Sequence, residues 1–463
     1  MPLNSHAFLL VFLPMVAAAH AWLPPGPRLR TGFLVLSSLA FYSWAGLAPL
    51  LLLLGMIGLT FAAVRVMSAP RGGARGLGLV LLLGNVAVLA LFKYYEALAG
   101  AFGLAPGALP LLGATLPLGL SFYAFNLLGH GLDVYWGRGA PAAGLGPLTA
   151  YATFFPTVSS GPLMRYDDFQ PQLEAPAKPS WGEVDTAVFR IALGLAKKVL
   201  IADSLGAVVD PLFADASSLG LAGAWVAVLG QHFRVYLDFS GYSDIAIGAG
   251  QLFGFRVPPN FDAPYTARSL TEFWQRWHMS LSSWFRDYLF FPLAVWLRGL
   301  DPRRRSAPAR SLSIFVTMVL IGLWHAPTAP YLVWGAYQGT VLAVHASLRE
   351  AGRKPWPAWA GRLATFFGLM AGWAILRSTS LDQARSLFAA MLGLRGLGAD
   401  AVPGVGPGLL LALAALLVLT NLPREASALF PRRSWAFAAS TALLLTLGLL
   451  ALGAPTPFLY LRF

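Results

Sequence analysis

Apolar runs close to the length of a membrane-crossing helix recur from one end of the chain to the other. A span needs roughly 20 apolar residues. By that rule the pattern predicts spans near residues 5–23, 29–46, 47–67, 76–99 and 110–136. Further runs fall near 187–209, 219–253, 309–327, 329–349, 361–377, 408–421 and 434–453. The run 219–253 has room for two helices or for one with a break. The expected fold class is all-α, a polytopic transmembrane helical bundle of about eleven spans. Two stretches break the rhythm. Residues 147–173 are apolar but cut by Pro156, Gly161, Pro162 and Pro171. Helix breakers at membrane depth need protein or water around the freed backbone groups. The stretch therefore reads either as a re-entrant segment lining a cavity or as an interfacial loop. In 378–407, Leu381, Ala384, Leu387, Phe388 and Met391 share one helical face, which predicts a surface-lying amphipathic helix followed by a Gly/Pro-rich linker.

Composition agrees with the pattern. The chain is 57% hydrophobic and only 11% charged, against roughly 25% charged in soluble domains. Its mean hydropathy is +0.63. The net charge of +13 is spread over short loops between apolar runs, the arrangement of a topology signal and not of a nucleic-acid surface. Arg28 and Arg30 follow the first run, and Arg65, Arg71 and Arg75 the third. Arg298 and Arg303–Arg305 precede 309–327, Arg349, Arg353, Lys354 and Arg362 follow 329–349, and Arg424, Arg432 and Arg433 separate the last two. All are cytoplasmic if both termini are extracytoplasmic. The first run lacks a basic n-region and a clean cleavage site, so it is expected to be a retained helix. With no cysteine there is no disulfide, no thiolate metal site and no cysteine nucleophile. No repeat or sizeable soluble domain is visible. The expected organisation is one integral-membrane domain over 1–463, with N-terminal helices in 1–140, a catalytic core in 147–349 and C-terminal helices in 361–463.

The candidate chemistry is concentrated in the middle. His325 lies in Leu320-Ile-Gly-Leu-Trp-His325, within a predicted span, where an ionisable residue usually lines a cavity or pathway. His278 lies in Phe273-Trp-Gln-Arg-Trp-His-Met-Ser-Leu-Ser-Ser-Trp-Phe-Arg-Asp-Tyr288. From Tyr236 to Pro292 the chain is dense in polar groups, among them Asp238, Asp244, Asn260, Glu272, Arg276 and Asp287. Glu272 and Arg276 share a helix face at i,i+4, which suits a structural clamp as well as a functional pair. Arg286 neighbours Asp287. Histidine titrates near 6.5 and suits general-base work at neutral pH. Trp274, Trp277, Trp284, Trp324 and Trp334 form either a water-excluding wall or ordinary packing. His6, His20, His130, His232 and His345 are expected to be structural, and no metal site is implied because the histidines lack ligand spacing with acidic partners.

The run Tyr236-Leu-Asp-Phe-Ser-Gly-Tyr-Ser-Asp-Ile-Ala-Ile-Gly248, with Asn260-Phe261, Pro264-Tyr265 and Glu272–Tyr288, resembles the signature of membrane-bound O-acyltransferases. Phe155-Pro156, Gly161-Pro162, Arg165, Pro171-Gln172-Leu173, Lys197-Lys198 with Asp203, Gly322–His325, Trp334-Gly335 and the ending Pro457–Phe463 fit in order. The resemblance covers nearly the whole chain and is nearest the bacterial branch of alginate O-acetylation, related to teichoic-acid D-alanyl transfer.

That resemblance implies that His325 is catalytic and His278 a second functional histidine of one pocket. Trp324, Trp277, Arg276, Glu272, Asp287, Gln338, Asp238 and Asp244 would line a substrate tunnel or support it. It further implies a multi-pass protein of the bacterial inner membrane and an acyl thioester donor entering from the cytoplasm, as acetyl-CoA or on an acyl carrier protein, with no tightly bound cofactor. The expected partners are membrane lipid, the donor carrier, and an extracytoplasmic polysaccharide or accessory acetyltransferase protein, with no nucleic acid. Acetyl-transferring members often carry histidine where Gln338 stands; an amide orients but cannot take a proton, which weakens an alginate-type assignment more than acyl transfer itself. D-alanyl transfer to teichoic acid, a transporter or flippase of a polysaccharide system, and a scaffold subunit remain as rivals. The basic loop Arg303–Arg305 is a candidate dock for an acidic carrier protein, or simply a topology signal.

Overall fold

In the computed structural model, residues 1–24, 26–69, 74–101, 103, 116–175, 178–301, 306–397, 406–420 and 434–453 are described, and over these the chain is helical without strands. The first stretch gives α1 (Leu13–Trp22), α2 (Pro27–Ser43), α3 (Leu47–Met67), α4 (Ala74–Ala101), α5 (Leu120–Tyr135), α6 (Leu145–Thr153), α7 (Tyr166–Glu174) and α8 (Trp181–Ala196). Then come α9 (Asp203–Ala214), α10 (Leu221–Leu252), α11 (Leu270–Arg276), α12 (Met279–Phe285), α13 (Phe291–Leu300) and α14 (Ser306–His325). The last are α15 (Ala329–Glu350), α16 (Ala358–Arg377), α17 (Leu381–Met391), α18 (Pro407–Thr420) and α19 (Trp435–Leu450). Among the described residues four stretches qualify as membrane spans by length and apolarity: Leu47–Met67, Ala74–Tyr95, Ser306–His325 and Ala358–Arg377. Residues 110–115, Arg71, Arg303–Arg305, Arg424, Arg432, Arg433, positions 398–405 of the predicted Gly/Pro-rich linker and the ending 457–463 lie outside the described residues.

The helices fall into two compact units. One holds the chain to Leu195, Tyr242–Pro259 and α19; the other holds Ala196–Gly241 and Asn260 onward through α18. In the first unit α3, α4 and α5 pack on one another, and α2 packs on α6. The apolar stretch predicted to break does so at Pro156, Gly161 and Pro162, whereas Pro171 lies inside α7 and does not interrupt it. α6 and α7 are separated by a buried non-helical segment in which Pro156, Gly161 and Pro162 stop the helix. Its freed polar groups are answered locally. The Ser160 N–H donates to Tyr242 Oη at 3.0 Å, Ser159 Oγ and Tyr242 Oη share a hydrogen bond of 2.7 Å, and Tyr151 Oη donates to the Met164 carbonyl at 2.8 Å.

Over 219–253 the alternative of two helices falls away. α10 is one unbroken helix, about 48 Å long at 1.5 Å per residue. It contains no proline, and Gly230, Gly248 and Gly250 sit where a neighbour is close: a Cβ at Gly230 would lie 2.7 Å from Val209 Cγ2. The run 187–209 is likewise part of a longer helical stretch, α8 passing through a wider-turn segment, Lys197–Ala202, into α9. The amphipathic helix expected in 378–407 is α17, whose Ala384, Leu387 and Met391 are buried and whose N-cap Ser380 accepts from the Gln383 N–H.

The second unit is organised round an α14–α15 hairpin, with α16 against α15 and α11 against both α15 and α16. Small residues let the hairpin close. A Cβ at Gly335 would lie 2.6 Å from the Met318 carbonyl oxygen, and one at Gly322 would press on the Tyr331 carbonyl. Close backbone approach at small residues is how helices associate where no hydrophobic gradient drives them. The hairpin turn places His325, the last residue of α14, beside the start of α15.

Candidate active site

The two histidines are set by different local devices, both within the second unit. His278 occupies a break between α11 and α12, outside the helices read as spans. Phe261 and Trp277 form an isolated antiparallel bridge, the Asp262 N–H donates to the Arg276 carbonyl at 3.0 Å, and the Met279 N–H donates to the Asn260 carbonyl at 2.9 Å. This short pairing pulls residues 276–279 out of the helix. It leaves His278 with φ 44° and ψ 51°, a left-handed conformation uncommon for a residue with a side chain. Such geometry persists where surrounding structure over-determines it, and it clusters at functional sites.

The His278 ring is buried, edge-on to Phe239 with centroids 4.5 Å apart. Its Nδ1 lies 3.3 Å from Asn260 Oδ1. That oxygen also accepts from the Ser280 backbone N–H at 3.3 Å and from Ser280 Oγ at 2.6 Å. A backbone N–H only donates, so the Asn260 atom is an acceptor and His278 Nδ1 is the donor. The neutral ring therefore keeps its lone pair on Nε2. Burial holds the imidazole well below the ordinary histidine value, and the charge of nearby His325 acts in the same direction.

His325 is half-buried in a box of rings. Trp324 lies at 4.6 Å between centroids, Trp334 edge-on at 5.9 Å, and Tyr331 roughly parallel at 6.1 Å. The box continues through Trp274, 5.9 Å from Trp334, and through Phe285, 6.0 Å from Trp324 and 5.3 Å from Trp284. Trp277 stacks on Phe273 at 5.3 Å and meets Trp373 at 5.8 Å. Gln338 is buried one turn after Trp334; its Oε1 accepts from the Trp274 indole N–H at 3.3 Å, and its amide nitrogen lies over Gly372.

The remaining sequence candidates are placed less centrally. Glu272 takes part in capping α11: its N–H donates to the N-cap Ser269 Oγ at 3.1 Å, and its Oε2 accepts from the N–H of Arg268, one residue before the cap, at 2.8 Å. Its other oxygen takes Arg276 Nη2 at 3.0 Å, while Arg276 Nη1 reaches Thr266 Oγ1 at 3.3 Å. This pair clamps α11 to the preceding loop. Asp287 pairs with exposed Arg286 at 2.8 Å. Asp238 and Asp203 each accept from buried Lys198 at 2.7 Å. Asp244 falls in the first unit, with Arg190 at 3.0 Å.

Of the five histidines expected to be structural, His345 meets Thr271 at 2.9 Å, His6 reaches the Leu449 carbonyl at 3.1 Å, and His20, His130 and His232 are buried. Sequence reasoning missed three participants: Asn260 as the partner of His278, Tyr331 beside His325, and Trp373. Asn260 is quoted in the signature run, but nothing in its spacing reveals the bridge that brings it to His278.

Residues 147–376 match the model of the membrane-bound O-acyltransferase family. The "probable alginate O-acetylase" of Pseudomonas syringae pv. tomato is 34% identical over 405 residues, covering 84% of this chain and 75% of that protein. The peptidoglycan O-acetyltransferase of Helicobacter pylori is 30% identical over 436 residues, covering 85% and 80%. The teichoic acid D-alanyltransferase of Bacillus subtilis is 27% identical over 230 residues, covering 49% and 58%.

Proposed function

The chain belongs to the membrane-bound O-acyltransferase family and is an acyltransferase, and from that premise we propose that it moves an acetyl group from a cytoplasmic thioester to hydroxyls of an extracytoplasmic polysaccharide. Transfer is direct or passes through a partner protein. The donor is coenzyme A or an acyl carrier protein. The observation that carries the reading is the placement of His278 and His325 in the same unit, each ringed by aromatic side chains and within electrostatic reach of the other. The long reciprocal similarity to O-acetylating relatives supports acetyl over D-alanyl, whose relative matches about half of this chain.

The chemistry follows from the two rings. The acceptor hydroxyl attacks the thioester carbonyl carbon while His325 takes its proton. The adduct collapses by breaking the C–S bond, and the thiolate leaves with that proton returned from the imidazolium. His278, neutral with its lone pair on Nε2, orients the reacting hydroxyl. Trp324, Trp334, Trp274 and Tyr331 keep out water that would hydrolyse the donor. Gln338 fixes the Trp274 indole, and Trp277 backs the break that holds His278.

We read the protein as an inner-membrane enzyme of about eleven spans with 147–173 re-entrant. The Arg28–Arg30, Arg65–Arg75 and Arg349–Arg362 loops lie in the cytoplasm and the His325 end of α14 faces outward. The test is acetyl transfer from labelled thioester to extracellular polymer in cells, comparing wild type with His325→Ala at matched membrane expression. The expected loss is about 10²- to 10⁴-fold. Full labelling by the variant would move a transporter or scaffold role to the front.

A further inference from the structure

Two hydrogen-bond donors in the aromatic box of His325 have no acceptor. They belong to Trp334 and Gln338, one turn apart on α15, which are 4% and 1% exposed. Buried indole and amide N–H groups ordinarily find partners, so each unpaired one calls for a reason. The Gln338 amide is oriented by its oxygen. An indole N–H only donates, so the atom facing Trp274 Nε1 at 3.3 Å is Oε1, and Nε2 points the other way. It points at α16. A Cβ at Gly372 would lie 2.7 Å from Gln338 Nε2 and 3.5 Å from Trp334 Nε1, so both nitrogens converge beside a residue with no side chain, and any side chain there would press on both. One turn earlier the two helices are tied at this close approach by Tyr337 Oη, which donates to the Gly368 carbonyl at 2.9 Å. Neither nitrogen donates to a group among the described residues, and neither is one of the unpartnered polar atoms that the fold seals off. Trp334 also stands edge-on to His325 at 5.9 Å, so the indole that borders the general base carries a free donor.

We propose that the Trp334 indole N–H and a Gln338 amide N–H together bind the carbonyl oxygen of the acyl thioester and hold the negative charge it acquires during transfer, which makes both catalytic residues. When the acceptor oxygen bonds to the carbonyl carbon, the π pair of the C=O bond moves onto oxygen. When the C–S bond breaks, that pair returns and the thiolate leaves. Between the two events the oxygen is an anion among aromatic rings, where donors already in place act far more strongly than in water. His325 handles the proton of the hydroxyl, and the two N–H groups handle the charge on the carbonyl. An amide, which cannot take a proton, is suited to the second task. The assignment deepens the acyl-transfer reading and rests on it for the thioester.

The alternative is a strut, in which Gln338 does no more than hold the Trp274 indole and Trp334 fills space. Three variants separate the two. Trp334→Phe keeps a ring and removes the N–H, Gln338→Met keeps the length and removes the amide, and Trp274→Phe removes only the bond that Gln338 Oε1 accepts. The experiment is isotope-edited infrared spectroscopy of carbonyl-labelled S-acetyl pantetheine, the fragment that coenzyme A and a carrier protein share, bound to the purified full-length protein in nanodiscs without acceptor. The expected carbonyl stretch in wild type lies below that of the free thioester in water. Trp334→Phe and Gln338→Met each return part of the shift, and Trp274→Phe leaves it in place. In a parallel transfer assay the first two lower kcat by about 10²-fold with KM for the thioester little changed. A carbonyl band that is the same in wild type and Trp334→Phe overturns the proposal and leaves acyl transfer standing. So does a Trp274→Phe protein that loses as much of the shift as Gln338→Met, which would make Gln338 a strut. No binding of the thioester by wild type would remove the donor reading and this assignment with it.

Discussion

At the scale of single residues the site turns on the bond between His278 and Asn260. The Asn260 oxygen is fixed as an acceptor by the Ser280 N–H, and it thereby fixes which His278 nitrogen holds the proton. Replacing it by aspartate keeps the acceptor and adds a negative charge 3.3 Å from Nδ1. That charge favours imidazolium, so the His278 pKa rises from its depressed position. If His278 must be neutral, the acid limb of kcat/KM in Asn260→Asp moves to higher pH, by about one to two units, with the plateau at high pH largely kept. A pH profile unchanged beyond a uniform drop would mean that Asn260 serves folding alone. His325 was legible in the sequence, because an ionisable residue in an apolar run is costly and stands out; His278, outside any such run, came forward only with the polar stretch around it and the family resemblance. Their partners were not. Asn260 and Tyr331 acquire their roles from a chain reversal and a hairpin turn, and neither has a periodic signature. The Glu272–Arg276 pair was legible as a pair, but its capping role appears only with Ser269 and Arg268 in place.

At the scale of elements, the α14–α15 hairpin positions His325, and its glycines let it close. Gly335→Ala places a methyl 2.6 Å from the Met318 carbonyl oxygen, a backbone atom that cannot swing aside. The expected cost is about 1 to 3 kcal/mol, together with a displaced His325 and lower kcat. Gly55 in α3 is the control, since nothing lies within 4 Å of its Cβ position. Gly55→Ala should leave activity unchanged and raise stability by about 0.5 to 1 kcal/mol, the ordinary helix preference. Thermal unfolding in detergent with a parallel turnover assay measures both; a Gly335→Ala protein as stable and active as wild type would show that the hairpin has slack. Sequence periodicity located these helices and the break after α6, because apolar length and proline act locally. It left α10 open between one helix and two, since glycine is tolerated inside a helix wherever a neighbour fills the space its side chain would take. That decision belongs to tertiary contacts such as Gly230 on Val209.

For the whole molecule, the family signature reads across most of the chain, whereas the direction of each helix through the membrane rests on loop charge. Among the described residues four helices qualify as spans by length and apolarity. Two of them, α14 and α16, bracket the candidate site, so the side on which their ends emerge decides whether acetyl must cross the membrane. The chain has no cysteine, so single cysteines can be introduced into an otherwise silent background. Ala351 is exposed between α15 and α16, next to Arg349, Arg353 and Lys354. Asp382 is exposed at the start of α17, just beyond Arg377 at the other end of α16. Positive loops stay in the cytoplasm, so Ala351→Cys should react with a membrane-impermeant maleimide only after the cells are permeabilised. Asp382→Cys should react in intact cells. The opposite pair of outcomes would turn α14 round, put His325 beside the donor's own compartment, and remove the need for acetyl to cross. Labelling of both from outside would mean that α16 does not span, and the bundle of about eleven spans would have to be redrawn from the centre of the chain outward.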